Sequence, residues 1–315
     1  MIKMECARWS RMLITINKQQ RSRPKIGVAL SGGGLRGTSH IGVLKALTDH
    51  NIPIDYVAGT SAGAIVATMY ACGYSPQQMQ AIIHDINISD MVDLKVTSSD
   101  LFKQGFKWLM NGRSRLWSVL PTGLIKGEKI EIFLAKLLPN RTVRDTKIPL
   151  AITAVDINSS DTVFFTSPLP PNRIILNARY YHNALLYEAV RASISIPGVF
   201  LPKKYRGMTL VDGAVKNNLP TDILSHMGAD KIIAVDLGYA GQPNYEINSV
   251  GEILMQCIEI MSREVTLMKS EQFADILIRP QINDLNYKDL KQADEVIKCG
   301  YLAAYEKINE IKALL

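Results

Sequence analysis

The pentapeptide G-T-S-A-G at residues 59–63 limits the possible folds of this chain more than any other feature. An apolar run that favours a strand precedes it, and small and apolar residues that favour a helix follow it. The G-x-S-x-G spacing is typical of a nucleophile elbow, a strand-to-helix turn so sharp that glycines must flank the serine. A helix N-terminus also stabilises negative charge, which suits a serine that attacks a carbonyl. We therefore predict Ser61 as a nucleophile, with Gly59 and Gly63 as supporting residues.

The sequence around this motif predicts alternating strands and helices. Residues 25–30 predict a buried strand, and the motif G-G-G-L-R-G at 32–37 and then a helix come after it. Residues 54–58 predict a second strand and residues 62–71 a second helix. The β-α-β-α order is typical of a parallel sheet covered by helices. The chain has 315 residues, 47% of them hydrophobic, which is ample for a well-buried core. Residues 25–315 are therefore predicted to form one α/β domain, a three-layer sandwich with a mainly parallel central sheet.

The middle and the end of the chain are less regular. Aromatic, apolar and basic residues mix between about residues 75 and 144, which fits either an excursion packed on the sheet or a lid or lipid-facing surface. Further apolar runs predict strands at 148–155, 209–211 and 231–237. The helical pattern at 250–268 has an apolar stripe that is predicted to face the core. Its members are Leu254, Ile258, Met261, Val265 and Met268.

The chain is basic, with a formal net charge of +7 and a pI of about 9.1. Such a charge suggests a nucleic acid or an anionic membrane as a partner. Part of the excess lies in an N-terminal arm, residues 1–24. This arm is interpreted either as a solvated, disordered tail or as a weak contact with anionic lipid head groups. We expect no nucleic-acid partner.

The cysteines and the hydropathy indicate an intracellular protein. Cys6, Cys72, Cys257 and Cys299 are scattered without metal-ligand spacing. Because Cys72 and Cys257 fall in apolar helical contexts, they are predicted to be buried thiols in a reducing compartment. No stretch approaches 18 continuous apolar residues, the length of a membrane-spanning helix. We predict a cytoplasmic protein that at most lies against the inner face of a membrane.

The glycine-rich motif at residues 32–37 also satisfies the dinucleotide-binding pattern G-x-G-x-x-G. Asp55 lies near the sequence distance at which a ribose-binding acid is expected. Such an acid belongs at the C-terminal end of the second strand, however, and Asp55 is at its start. We therefore expect no nucleotide cofactor.

The same glycines suit an anion-binding site better. Exposed amides at a helix N-terminus bind anions, and the loops after the first two parallel strands lie side by side at one edge of the sheet. Gly32, Gly33 and Gly34 are therefore predicted to form an oxyanion hole for Ser61. Arg36 either supports this loop or is a structural group.

Ser61 needs a base, and the sequence offers either a histidine or a carboxylate. In a Ser-Asp-His order the base would be His226, but it lies near the end of a short helix, where a histidine more often contacts that helix end. His40, in the first turn after the glycine loop, is predicted to be structural. Asp212 ends an apolar strand and precedes Gly213, which alone indicates only a turn. Together with the elbow and the glycine loop, Asp212 becomes the leading candidate for the base, with Gly213 as a supporting residue.

These motifs together resemble the patatin-like phospholipase family, particularly its bacterial members. The motifs G-G-G-L-R-G at 32–37, G-T-S-A-G at 59–63 and D-G-A at 212–214 occur in this order. The stretch R-A-S-I-S-I-P-G-V-F at 191–200 resembles a further block of that family. The resemblance runs from about residue 25 to residue 237 and implies a patatin-like α/β fold.

The resemblance also implies an activity, that of a lipid acyl hydrolase of the phospholipase A or lysophospholipase type. It implies a Ser-Asp dyad with Ser61 as nucleophile and Asp212 as base, and an oxyanion hole made by the three glycine amides. It implies no metal and no other cofactor, and a lipid or acyl-ester substrate. Two alternatives stay open: a general carboxylesterase or thioesterase with the same dyad, and a non-catalytic lipid-binding regulatory protein.

Overall fold

The computed structural model describes residues 23–94, 122–138, 140–171, 173–238, 250–282 and 290–315. The predictions for the N-terminal arm therefore fall almost wholly outside the described residues. Most of the aromatic and basic stretch that suggested a lid or a lipid-facing surface also lies outside them, at residues 95–121.

The described residues contain eleven strands and ten α-helices. The strands are β1 (Ile26–Leu30), β2 (Tyr56–Thr60), β3 (Gly123–Ile125), β4 (Leu150–Asp156), β5 (Thr162–Thr166), β6 (Ala178–Tyr181), β7 (Gly198–Phe200), β8 (Lys203–Tyr205), β9 (Met208–Asp212), β10 (Lys231–Val235) and β11 (Ile276–Ile278). The helices are α1 (Ser39–Asp49), α2 (Ala62–Cys72), α3 (Pro76–Asp85), α4 (Ile88–Met91), α5 (Glu128–Leu137), α6 (Leu186–Ser193), α7 (Thr221–Met227), α8 (Val250–Phe273), α9 (Ala293–Glu306) and α10 (Ile308–Lys312). Two short 3-10 helices matter for the site, Gly34–Thr38 and Gly213–Val215.

Nine of these strands form one sheet, and the prediction of a mainly parallel central sheet is confirmed. Seven of them run in the order β11-β10-β1-β2-β4-β5-β6, and the first five of these are parallel to one another. Strands β5 and β9 both pair with β4 in the antiparallel sense, and β8 pairs with β9. The C-terminal ends of the parallel strands share one edge, and the loops that follow β1 and β2 meet there.

Helices cover both faces of the sheet, as the alternating pattern predicted. On β1, Val28 and Leu30 belong to the larger apolar cluster, which also includes residues of α1, α2 and α9. Ala29, which lies between them, belongs to a second cluster under α7. Since successive strand residues point to opposite faces, these two clusters form the two layers of the core.

Strand β4 brings the two candidate catalytic elements together. β2 pairs with its first half, so that Thr60 lies opposite Thr153. β5 already occupies the other edge of β4. Strand β9 therefore pairs with the second half of β4 on the same edge as β2, with Asp212 opposite Ala154. This pairing places Asp212 beside the turn that follows Thr60.

The prediction that the apolar stripe of α8 faces the core is wrong for three of its five members, while Ile258 and Val265 are partly buried. Leu254, Met261 and Met268 are exposed rather than core-facing, with exposed fractions of 50%, 68% and 68%. Among the residues of this helix whose burial is described, the buried ones carry hydroxyl groups and are spaced by four: Ser262, Thr266 and Ser270. The hydroxyls of the last two bond to carbonyls of the same helix, so burying them leaves no unpaired group. Cys72, at the end of α2, is buried as predicted. Cys257, on α8, was also predicted to be buried but is exposed.

None of the helices in the described ranges combines the length and the apolar character that crossing a membrane requires.

Candidate active site

Ser61 sits on a strained turn between β2 and α2. Its φ and ψ are 54° and −123°, a conformation that a residue with a side chain rarely adopts and that costs about 1–3 kcal/mol. A β-carbon on Gly59 would overlap the carbonyl oxygen of Gly63, and one on Gly63 would overlap the carbonyl oxygen of Leu30. Only glycine fits at these two positions, because α2 starts in direct contact with β1 and β2. The side chain of Ser61 is 6% exposed.

Hydrogen bonds fix the backbone of this turn on both sides. The Ser61 amide donates to Oγ of Ser193 at 2.9 Å. The Ser61 carbonyl accepts from the amide of Ala64 at 2.9 Å, as the first bond of α2. The hydroxyl of Thr60 donates to the carbonyl of Asn217 at 2.8 Å and ties the end of β2 to the segment after Asp212.

Asp212 ends β9 and is 2% exposed. Its amide donates to the carbonyl of Ser195 at 2.9 Å, and its Oδ1 accepts from the amide of Ala214 at 2.8 Å. A β-carbon on Gly213 would overlap the carbonyl oxygen of Thr153, so the chain turns directly against β4. The turn after Asp212 therefore needs glycine at position 213, because a side chain there would overlap β4. The same turn holds one oxygen of the Asp212 carboxylate through the Ala214 amide.

Burial of this carboxyl group changes its acidity. Desolvation raises the pKa of Asp212 from 3.8 to about 6, although hydrogen bonds to the Ser61 hydroxyl and the Ala214 amide act in the opposite direction. The Ser61 hydroxyl is thus close enough to the Asp212 carboxylate to affect its pKa. A carboxylate of this pKa is ionised at neutral pH and accepts a proton more readily than a solvated one.

The glycine loop lies against Ser61, but the amides of its three glycines are not equivalent. A β-carbon on Gly32 would lie 3.2 Å from Cβ of Ser61. The Gly32 amide donates to both Oδ1 and the carbonyl of Asn218, at 3.0 and 3.2 Å. Gly34 has a left-handed φ of 58°, and the amides of Gly33 and Gly34 make no hydrogen bond to the rest of the described chain. Three amides were predicted to be free to bind an anion. Within the described residues, only those of Gly33 and Gly34 remain unpaired.

Arg36 connects this loop to the segment after β10. Its Nη1 donates to the carbonyl of Gly238 at 3.2 Å, and its Nε lies 3.4 Å from the carbonyl of Gly33. These two contacts place the guanidinium on one carbonyl oxygen of the glycine loop and on one of the segment after β10. Arg36 thus supports the conformation of the glycine loop.

No histidine accompanies the serine. All five histidines are described, and one ring nitrogen of each bonds to a group other than Ser61: His40 to Ser31, His50 to Ala46, His84 to Asp294, His182 to Thr166 and His226 to Asp222. Burial lowers the pKa of His40 to about 4, so its ring is neutral under ordinary conditions. Within the described ranges, no three histidine, cysteine or acidic side chains are grouped as metal ligands would be.

Two residues with a place in this site had no role assigned from the sequence. Ser193 receives the Ser61 amide, and Asn218 receives the Gly32 amide. Ser193 lies within the recognised motif R-A-S-I-S, and Asn218 comes four residues after the recognised motif D-G-A. Their hydrogen bonds join segments far apart in the chain, which the local pattern alone does not reveal.

The fold and the site define a parallel α/β protein in which an elbow serine faces a buried aspartate and a glycine loop. A family model described as "Patatin-like phospholipase" matches residues 28–225, more than half of the chain. This chain belongs to the patatin-like phospholipase family.

Curated relatives agree with this assignment. The chain is 28% identical to the patatin-like phospholipase domain-containing protein ZK370.4 of Caenorhabditis elegans, over 91% of this chain and 21% of the relative. It is 26% identical to the mouse patatin-like phospholipase domain-containing protein 6, over 88% of this chain and 20% of the relative. Neuropathy target esterase sws of Drosophila melanogaster is 27% identical, over 73% and 14%. The chain thus spans about a fifth of the length of the first two relatives.

A solved structure shares the fold. The chain is similar to VipD from Legionella pneumophila, with a TM-score of 0.53 and 16% identity, over 92% of this chain and 67% of that chain. At this identity the likeness shows the fold alone.

Proposed function

We propose that this chain is a lipid acyl hydrolase that cleaves carboxylic esters of phospholipids or lysophospholipids, with Ser61 as nucleophile and Asp212 as base. The observation that carries the proposal is the burial of Asp212, which is 2% exposed, with the Ser61 hydroxyl close enough to its carboxylate to affect its pKa. Membership of the phospholipase family supports a lipid ester as the substrate. Because one sheet holds both residues, we also propose that residues 25–315 act as a single catalytic domain.

In the first half of the proposed reaction, Asp212 removes the proton of the Ser61 hydroxyl as its oxygen attacks the ester carbonyl. The carbonyl oxygen becomes an oxyanion in a tetrahedral intermediate. When this intermediate collapses, the alcohol part of the lipid leaves with the proton that Asp212 carried, and the acyl group stays on Ser61. The buried position of Asp212 supports this role because desolvation makes the carboxylate a better proton acceptor.

In the second half, Asp212 takes a proton from water, and the hydroxide attacks the acyl-serine ester. A second tetrahedral intermediate collapses, the fatty acid leaves, and Ser61 regains its proton from Asp212. Every proton passes through one carboxyl group, so the mechanism requires no histidine. The bonds that hold all five histidines elsewhere are compatible with this requirement.

The oxyanion needs donors that are already oriented. We assign this role to the Gly33 and Gly34 amides, which the described chain leaves unpaired and which directly follow Gly32, the loop residue that lies against Ser61. Each such donor typically lowers the barrier by about 3–4 kcal/mol. The Gly32 amide would serve a different purpose, because its bonds to Asn218 anchor the start of the loop.

A fluorescent fluorophosphonate tests the nucleophile and the base. We expect the wild type to be labelled, Ser61→Ala to be unlabelled, and Asp212→Asn to be labelled far more slowly. Asp156→Asn is the matched control, since Asp156 is also a buried aspartate, 3% exposed, whose oxygens bond to Thr209 and other groups away from Ser61. A folded wild type that is not labelled with or without lipid vesicles would contradict the proposal.

The substrate class needs a separate measurement. Release of fatty acid from vesicles of phosphatidylcholine and from lysophosphatidylcholine is expected for the wild type and absent for Ser61→Ala. Hydrolysis of short soluble esters with no release from either lipid would instead indicate a general esterase.

A further inference from the structure

The end of α6 contacts both members of the proposed dyad through their backbone amides. This segment, Ser193–Ser195, belongs to the R-A-S-I-S-I-P-G-V-F motif, to which the proposed reaction gives no role. The Ser61 amide donates to Oγ of Ser193 at 2.9 Å, and the Asp212 amide donates to the carbonyl of Ser195 at 2.9 Å. One stretch of three residues thus bonds to the nucleophile on one side and to the base on the other.

The hydroxyl of Ser193 acts as acceptor and donor at once. It accepts the Ser61 amide and donates to the carbonyl of Thr153 at 2.7 Å, and its side chain is fully buried. Thr153 is the β4 residue opposite Thr60, and its carbonyl is also the atom against which Gly213 turns. The Ser193 hydroxyl therefore joins the elbow to the part of β4 where the turn after the base is packed.

The strain at Ser61 makes this hydrogen bond important. A residue with a side chain keeps a positive φ of 54° only when its surroundings hold it there. The carbonyl of Ser61 is held by the first turn of α2, whereas its amide has the Ser193 hydroxyl as its partner. Without that acceptor the buried amide would be unpaired, and the turn would gain by rotating away from the strained conformation.

A buried arginine holds the other end of the segment. Arg191 is 2% exposed, and its guanidinium donates to Oγ of Ser195 at 2.7 Å. It also donates to the carbonyls of Lys126, Gly127 and Leu201. The carbonyl that receives the Asp212 amide therefore belongs to a residue whose side chain is fixed in the interior.

We propose that the segment Ser193–Ser195 sets the separation of Ser61 and Asp212, and that Ser193 is a positioning residue for the nucleophile. The proposal rests on the function proposed above. Ser193 touches neither the substrate nor the reacting atoms; it acts by holding the amide of Ser61. Loss of its hydroxyl should therefore slow the chemical step while the number of folded sites and the binding of a small substrate stay the same.

The test compares Ser193→Ala with Ser167→Ala in the full chain. Ser167 is a matched control because its buried Oγ has the same two roles: it accepts the amide of Leu150, at the start of β4, and donates to the carbonyl of Val143. The measurements are the free energy of unfolding in urea, the rate and endpoint of fluorophosphonate labelling, and kcat and KM with p-nitrophenyl butyrate.

We expect similar losses of stability in the two variants and complete labelling at the endpoint in both. Only Ser193→Ala should show a labelling rate and a kcat lowered about 10- to 100-fold, the usual effect of a small misplacement of reacting groups. Its KM should stay near the wild-type value, because interactions with bound substrate are unchanged. Ser193→Cys, whose thiol is a weaker acceptor and donor, should give an intermediate rate.

Other outcomes would overturn the proposal in distinguishable ways. If Ser193→Ala folds and reacts at the wild-type rate, or if Ser167→Ala loses as much rate, Ser193 has no positioning role. If Ser193→Ala does not fold, the rate of Ser193→Cys decides, and a wild-type rate there contradicts the proposal. If the wild type itself is not labelled, the proposed function fails, and this inference fails with it.

Discussion

Gly59 and Gly63 contact each other across the turn that carries Ser61, and a β-carbon on Gly59 would overlap the Gly63 carbonyl. Gly59→Ala should therefore force α2 away from the end of β2 and lower the free energy of unfolding by about 3 kcal/mol, the upper range for overpacking. Urea unfolding followed by circular dichroism measures this loss. Gly207→Ala is the control, since Gly207 has a left-handed φ of 79° but no atom near its added methyl. It should cost only about 1 kcal/mol, and equal losses would contradict the steric argument.

The raised pKa of Asp212 predicts the pH dependence of the reaction. Burial holds this pKa at about 6, and only the ionised carboxylate can take a proton from Ser61. The rate of fluorophosphonate labelling should therefore rise with pH with a midpoint of about 6 and level off above it. A midpoint near 4, the ordinary value for an aspartate, would show that the carboxyl group is not desolvated as the structure has it.

The same pKa predicts a cost in stability. The folded state keeps the Asp212 proton up to about pH 6, while the unfolded chain loses it near 3.8, so this group makes the protein less stable as pH rises between those values. Asp212→Asn removes this cost and should raise the free energy of unfolding at pH 7–8 by about 3 kcal/mol at most. Urea unfolding at pH 4 and at pH 8 measures the difference between variant and wild type. That difference should be larger at pH 8.

His40 predicts the opposite pH dependence. Its burial lowers its pKa to about 4, although the Ser31 carbonyl and the charge of Asp236 act against this effect. Below pH 6.5 the His40 ring is protonated in the unfolded chain but stays neutral in the folded protein. The free energy of unfolding therefore falls by about 3 kcal/mol as pH drops toward 4. The ring protons of His40, assigned by comparison with His40→Gln, should not titrate in NMR spectra above pH 5. A midpoint near 6.5 would contradict the burial of the ring.

Arg191 predicts a difference between arginine and lysine. Its planar guanidinium donates hydrogen bonds to one hydroxyl and three carbonyls. The ammonium group of a lysine cannot reach these four acceptors at the same time. Arg191→Lys should lower the free energy of unfolding by about 2–3 kcal/mol. Arg179→Lys is the control, because Arg179 pairs with Asp161 at the surface and should lose less than about 1 kcal/mol. Similar losses for the two variants would show that the buried contacts of Arg191 add nothing.

The strand-to-helix elbow could be predicted from the sequence because its requirement is local. A sharp turn needs glycine two residues before and two residues after the serine, and both are visible in the pentapeptide. The strand end at Asp212 and the following Gly213 were visible in the same way. Their approach to Ser61 could be inferred only from the combination of motifs, since β9 reaches the site by pairing with β4.

Other parts of the site could not be predicted because they depend on tertiary contacts. The amide of Gly32 was expected to face an anion, but it donates a hydrogen bond to Asn218, which is distant in sequence. For α8, periodicity identified an apolar stripe correctly but not its direction. Its small hydroxyl side chains pack inward, where they can bond to carbonyls of their own helix, and the larger apolar residues remain outside.

The position of β9 late in the chain has a consequence during synthesis of the protein. During synthesis β1, β2 and β4 leave the ribosome before β9, so a growing chain can carry a complete elbow while its proposed base has not yet been translated. Since domains generally fold as units and N-terminal parts emerge first, the proposed mechanism leaves Ser61 without its base until most of the sheet has been synthesised. Under the proposed mechanism, a nascent chain that ends before Asp212 would therefore not hydrolyse lipid esters.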